Sequence, residues 1–352
     1  MKTFLYSLLL ICYVSTVSAT EVITNYKASD PHFVYMGRGD FSDKDHPKFY
    51  APGAQIIFSF KGNSCTIDLT DENLWGKNLN YIQLIVDGKY SRFKLSAKES
   101  QVSLGELADT VHSVILCKTT ESNIGYLQFN GVNCREIVAA PALPKRKIEC
   151  FGNSITCGTG SDMAEIPCGK GDWQDQHNAY LSYGAQTARA LKAQYHLTSV
   201  SGIGLMHSCC NLEFVMPQVY DKINLRENKI IWDFALYQPD VVTICLGQND
   251  GIQDKKTYCD AYVRFIQTLR KVYPRAQIVL LTSPMGDNKL TTVLKSYLTI
   301  IAKQANRSAD NKVSTYFFSR SYNSGCDSHP SLAEHKLIAD ELTNYLKKIM
   351  HW

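Results

Sequence analysis

Downstream of its first twenty residues the sequence has no apolar run long enough to cross a bilayer, which excludes a protein built on membrane-spanning helices. Lys and Arg are not clustered, and a net charge of +4 is small for 352 residues. The basic footprint that nucleic-acid binding requires is therefore missing. The one short basic run, Lys145-Arg146-Lys147, reads as a solvated linker. Cys209-Cys210 has no histidine or cysteine partner at zinc spacing, so the pattern offers no metal centre. No internal repeat or low-complexity tract occurs, and no helical period is visible between residues 20 and 140. Hydrophobic content of 45% and charged content of 20% are those of an ordinary globular protein.

The chain starts MKTFLYSLLLICYVSTVSAT. One Lys, an apolar stretch to Val14 and the small residues of Val17-Ser18-Ala19 make residues 1–19 a secretory signal, cut near Ala19. A secreted or periplasmic protein without a membrane anchor is expected. Of the twelve cysteines, Cys12 leaves with the signal, so at least one of the rest stays free or pairs between molecules. Cys65, Cys117 and Cys245 lie in apolar strand-like runs and read as buried thiols. Cys157 and Cys168 bracket a polar loop and are the expected disulfide.

Residues 20–140 read as β structure. "QIIFSF" (55–60) and "CTIDL" (65–69) alternate across Gly62-Asn63, and Asp87-Gly88 separates two alternating runs, a strong hairpin signal. With "HSVILCKT" and "GYLQFNG" they predict an antiparallel sandwich or jelly roll. The Pro-bearing "APALPKRK" (140–147) marks a boundary. Beyond it, in 147–352, strand candidates at 147–151, 197–201, 240–246, 277–282 and 312–318 alternate with helical periods at 179–195, 256–273, 288–304 and 331–349. That alternation predicts a doubly wound parallel sheet, whose sites lie at the carboxyl ends of its strands.

Residues able to do chemistry fall at those ends: Gly152-Asn153-Ser154, Ser201-Gly202-Ile203-Gly204, Gly247-Gln248-Asn249-Asp250, and Gly325-Cys326-Asp327-Ser328-His329. Each has a plain reading as a turn or cap, but together they hold the parts of acyl transfer. A serine hydroxyl needs an adjacent base, for which His329 is the natural choice. Asp327 is the candidate to orient the imidazole. The Ser154 N–H, a Gly202 or Gly204 N–H and the Asn249 amide are candidate oxyanion donors. Trp173 and Tyr180, in the long polar loop at 158–178 or just after it, are candidates to stack on a sugar ring. Tyr183 reads as core, and Asp175 and His177 as loop surface.

The four blocks resemble those of the SGNH hydrolases, named for Ser, Gly, Asn and His in this order. "NAYLSYGAQTARAL", "YQPDVVTICLGQND", "YPRAQIVLLTSPM" and "GCDSHPSLAEHKLIADEL" further resemble carbohydrate esterase family 2, as do "YMGRGDF", "VDG" and "GYLQFNG" in the N-terminal part. The similarity runs along about the whole mature chain. It implies an all-β jelly roll followed by a flavodoxin-like, three-layer α/β hydrolase domain on a five-stranded parallel sheet. It also implies a cofactor-independent serine esterase that removes O-acetyl groups from polysaccharides such as xylan or glucomannan. Ser154 then matches the nucleophile, His329 the base, Asn249 the oxyanion asparagine, and Gly202, with Gly204 as alternative, the oxyanion glycine. The sequence departs from the wider pattern in three places. Asn153 stands where Asp is usual, and Cys326 occupies the position three before the histidine that normally carries the orienting Asp. Ser328 stands where the family often has Trp. Two rival functions are a lipase or thioesterase acting on another acyl ester, and a catalytically weak glycan-binding protein.

Overall fold

The computed structural model describes residues 22–307 and 310–352; the expected signal, 1–19, lies outside them. Among the described residues no helix is long and apolar enough to cross a membrane. The N-terminal part is an antiparallel ten-stranded network. Its main strands are β1 (Gln55–Asp71), β2 (Tyr81–Val86), β3 (Lys89–Lys94), β4 (Thr110–Lys118) and β5 (Leu127–Val138). The expected hairpin at Asp87-Gly88 is present: both residues have positive φ, 50° and 77°, as a two-residue turn with right-handed strand twist demands. The expected reversal at Gly62-Asn63 is not. "QIIFSF" and "CTIDL" belong to the single strand β1, which pairs β4 through its first half and Glu99–Ser103 through its second. Gly62, at φ 141°, bends the strand where its partner changes, which carries one strand around the corner of the sandwich. Phe33, Phe58, Phe60 and Phe129 fill the interior.

The second part holds the five-stranded parallel sheet. Its strands are β6 (Arg146–Gly152), β7 (Ala193–Ser199), β8 (Val241–Cys245), β9 (Gln277–Leu281) and β10 (Val313–Tyr316), in the order β7-β6-β8-β9-β10. The long helices that follow the site's first turn are α2 (Tyr183–Ala190), α3 (Lys255–Val272), α4 (Asn288–Arg307) and α5 (Leu332–Met350), the label α1 belonging to that turn. Alternation within the strands divides the core into two layers. Val242, Ile244, Ile278 and Leu280 pack with α3 and α4; Val241, Cys245, Val279 and Leu281 pack with α2 and α5. Strand order reverses at β6, so the crevice of the fold opens at its carboxyl end. β7 begins earlier than its period suggests, because Lys192, at φ 51°, ends the preceding helix inside an Ala- and Leu-rich stretch that reads equally well as helix.

The two parts are locked together beneath that crevice. Arg38, from the N-terminal part, and Glu149, in the middle of β6, form a fully buried ion pair at 2.6 Å. The guanidinium also donates to the carbonyls of Tyr220 (2.7 Å) and Lys222 (2.9 Å). Glu149 accepts further bonds from Thr198 (2.6 Å) and the Tyr273 hydroxyl. Burial pushes the Glu149 carboxyl upward, but the Arg38 charge and these hydrogen bonds overcome it and hold the group below its ordinary range. Removing one member of such a pair strands the other charge. Arg38→Ala is expected to cost about 3–5 kcal/mol, read as a lowered urea midpoint, with Arg38→Ala/Glu149→Ala recovering part of the loss.

Candidate active site

Ser154 begins the single-turn helix α1 (Ser154–Cys157) at the carboxyl end of β6. A Cβ on Gly152 would stand 2.0 Å from Thr156 Oγ1, so only glycine lets the strand turn this sharply. Asn153 caps the helix: its side-chain oxygen accepts the Ile155 N–H at 3.2 Å. An aspartate would supply the same acceptor, which accounts for the substitution in this chain. Among the described residues the Asn153 Nδ2 has no partner.

His329 faces this serine, with Nε2 2.8 Å from Ser154 Oγ. The segment carrying the histidine is pressed against the loop after α1, backbone to backbone. The Cys326 N–H donates to Gly160 O at 2.8 Å, and a Cβ on Gly160 would meet Cys326 O at 2.7 Å. The other ring nitrogen, Nδ1, lies 3.1 Å from the Cys326 carbonyl oxygen. Asp327 therefore does not take the orienting position expected of it. At φ 51° its exposed side chain leaves the ring, and it acts on His329 through charge and its backbone. Burial draws the His329 pKa below its ordinary 6.5, the Cys326 carbonyl and the Asp327 charge offsetting only part of the effect.

The other two strand ends close on the same rim. Thr159 Oγ1 and Ser201 Oγ lie 2.9 Å apart, and Asn249 Nδ2 donates to Ile203 O at 2.8 Å. That bond uses one amide hydrogen and leaves a second. Of the two glycines, Gly204 donates its N–H to Ser208 Oγ at 3.2 Å, and a Cβ on it would stand 1.9 Å from His207 O. Among the described residues the Gly202 N–H makes no such bond. Asp250, which the sequence places in the third block without a role, accepts the N–H groups of Leu205 (2.9 Å), Met206 (2.6 Å) and His207 (3.0 Å) and so shapes this loop. Its place beside Asn249 was the available signal.

Glu121, on the N-terminal part, was also missed and had no local signal. Its carboxylate accepts the Ser201 N–H at 2.5 Å and lies 3.1 Å from Cys157 Sγ. Burial raises its pKa, against the lowering effect of those two contacts. Cys157 is thus a buried free thiol, and the expected Cys157–Cys168 pair does not form. Cys168 is bonded instead to Cys326, and Cys209 to its neighbour Cys210. Cys65, Cys117 and Cys245 are buried and free, as expected.

The aromatic candidates separate. Tyr180 is buried at the domain interface, its ring 3.9 Å from the Arg189 guanidinium and near Tyr90, away from the rim. Tyr183 is core, its hydroxyl 2.9 Å from Thr156 Oγ1. Trp173 stands exposed on its loop. Asp175 and His177, expected on the surface, are buried, because Arg92 and Lys94 of β3 reach over the loop and bond its backbone and carboxylates. Burial pushes the His177 pKa down to about 3.

The Cys168–Cys326 bond clamps the histidine segment to this loop across a separation of 158 residues. By chain entropy a cross-link of that span contributes on the order of 4–5 kcal/mol. Reduction with dithiothreitol is expected to lower the urea midpoint of the native protein clearly, and to shift that of Cys168→Ser/Cys326→Ser much less.

Comparison with known proteins covers nearly the whole chain. Residues 35–144 match the model of the carbohydrate esterase 2 N-terminal domain, and 150–319 that of the GDSL-like lipase/acylhydrolase family. The chain is 34% identical over 92% of its length to the cellulase/esterase CelE of Acetivibrio thermocellus, of which it spans 40%. It is 31% identical, over 96% of its length and 94% of the relative's, to an acetylxylan esterase/glucomannan deacetylase of Cellvibrio japonicus. Among solved structures, a family two carbohydrate esterase from Cellvibrio japonicus superposes with a TM-score of 0.86 at 30% identity, covering 94% of this chain and 99% of that one. One from Clostridium thermocellum, in complex with cellohexaose, gives 0.83 at 34% identity, covering 91% and 99%. With its strand-rich N-terminal domain and its parallel sheet carrying the Ser, Gly, Asn and His blocks, the chain belongs to carbohydrate esterase family 2.

Proposed function

We propose that this protein is a secreted O-acetylesterase that removes acetyl groups from polysaccharides such as xylan or glucomannan. The 2.8 Å contact between Ser154 Oγ and His329 Nε2 carries the reading. His329 takes the proton as Ser154 Oγ attacks the acetyl carbonyl carbon. The negative charge on the carbonyl oxygen is met by the N–H groups of Ser154 and Gly202 and by the free amide hydrogen of Asn249. Collapse of this intermediate expels the sugar hydroxyl, which takes the proton back from His329. Water, deprotonated by the same imidazole, then releases acetate from Ser154. The Cys326 carbonyl accepts the Nδ1 proton and so holds the tautomer in which Nε2 is free to act as base. Asp327 is no part of this dyad. The signal-like start supports export, and the Cellvibrio japonicus relative's name, acetylxylan esterase/glucomannan deacetylase, supports the substrate class.

Acetate release from acetylated xylan and glucomannan is the direct test. Ser154→Ala should abolish it, and survival of the activity would refute the mechanism. Asp327→Asn should keep kcat within about tenfold of the native value, against the roughly 10⁴-fold loss seen when a true triad carboxylate is replaced by an amide. The active base is neutral imidazole, and burial lowers its pKa. As a result kcat/KM should rise with pH through a single apparent pKa below 6.5 and hold level above it.

A further inference from the structure

A groove of about 640 Å3 runs along the junction of the two domains. Two of its walls are tryptophans from different domains: Trp75, in the turn after β1, and Trp173, on the loop that follows α1. They are 72% and 45% exposed, although tryptophan is on average a well-buried residue. Trp75 is also held at φ 58°, ψ 20°, a left-handed conformation that is unfavourable for a non-glycine residue. The turn is fixed from beneath by the Asn73 N–H on Asp71 Oδ1 at 2.8 Å and the Gly76 N–H on Asn73 O at 2.7 Å. The fold thus spends stability to present an indole to solvent.

The groove begins beside the proposed catalytic groups. Cys210, which lines it, is bonded to Cys209, whose N–H donates to Gly202 O at 2.8 Å. Trp173 stands edge-on to His177, ring centres 4.2 Å apart, and the buried His177 feels the charge of His329. The polar lining consists largely of amides, among them Asn78, Asn123 and Gln174. Its charges are mostly spent: Arg226 is paired with Glu72 at 2.9 Å and Glu227 at 2.6 Å, and Asp172 with Lys94 at 2.6 Å. Aromatic faces combined with neutral donors and acceptors suit an uncharged, polyhydroxylated ring, not an anion or an acyl tail.

We propose that this groove is a saccharide subsite shared by the two domains, in which Trp75 and Trp173 hold ring faces of the chain that bears the acetyl ester. The inference rests on the esterase reading above and extends it, because it gives the N-terminal domain a part in choosing the substrate. Trp75→Ala, Trp173→Ala and Trp75→Phe, checked for native thermal unfolding, are compared on acetylated xylan, acetylated glucomannan and 4-nitrophenyl acetate. For Trp75→Ala the ratio of polymer to small-ester kcat/KM should fall roughly tenfold, through KM, and Trp75→Phe should restore most of it. An unchanged ratio in a natively folded Trp75→Ala protein overturns the proposal. Should the native enzyme cleave the nitrophenyl ester but neither polysaccharide, the substrate reading fails instead. Calorimetric titration with xylohexaose and cellohexaose then judges the groove alone: binding that Trp75→Ala abolishes upholds it, and no binding, or binding indifferent to Trp75, overturns it.

Discussion

The buried pair between Arg38 and Glu149 is the contact on which the remaining geometry depends. Glu149 sits in β6, the strand that ends at Ser154, and has neighbouring strands on both sides. An ionised carboxylate there has no access to water, and the hydrolase domain offers it only hydroxyls. The compensating charge comes from the other domain. A hydrolase domain without its jelly roll would carry an unpaired charge in the middle of its sheet. The two domains are therefore one thermodynamic unit, even though each has a core of its own.

The same dependence recurs at the rim. Lys118 is fully buried, its ammonium donating to the carbonyls of Tyr50, Thr120 and Glu121, and burial draws its pKa down to about 7. That cluster fixes the end of β4, from which Glu121 reaches across to the Ser201 N–H. Ser201 immediately precedes Gly202. An acceptor supplied by the N-terminal domain thus holds the peptide just ahead of a proposed oxyanion donor, while Asp250 holds the peptides just after it. Donors fixed in this way need no reorganisation as charge develops.

The alternation of strands and helices, the parallel sheet it implies and the four blocks of the rim were legible in the sequence because each is a local signal: a period, a glycine turn, a residue type at a strand end; the layering came only with the family resemblance. What escaped was set by contacts across the chain. "QIIFSFKGNSCTIDL" looks like a hairpin because Gly-Asn usually reverses a chain, but β5 pairs with it on both sides of Gly62-Asn63, with a bulge between, and keeps it one strand. Asp175 and His177 look like surface because their loop is polar, and only the side chains of β3 reveal that it is covered. Cys168 finds its partner in a segment brought near by folding alone. Tyr180 shares its loop region with Trp173, yet it turns inward because Arg189 and the jelly roll enclose it.

Cys326 shows how one residue can replace a missing carboxylate and change the chemistry in doing so. Its carbonyl takes the imidazole bond that an aspartate three residues before the histidine would accept, while its side chain ties the segment down through Cys168. A carboxylate in that place would stabilise imidazolium by direct charge and raise the histidine pKa. A peptide carbonyl orients the ring nearly as well but contributes only a dipole, so burial prevails and the base stays neutral to lower pH. In the proposed mechanism the proton then gains less stabilisation on His329 in the transition state, and the proposed oxyanion donors must bear more of the developing charge. This division of labour accounts for a rim whose donors are held from both sides, by Glu121 ahead of Gly202 and by Asp250 behind it.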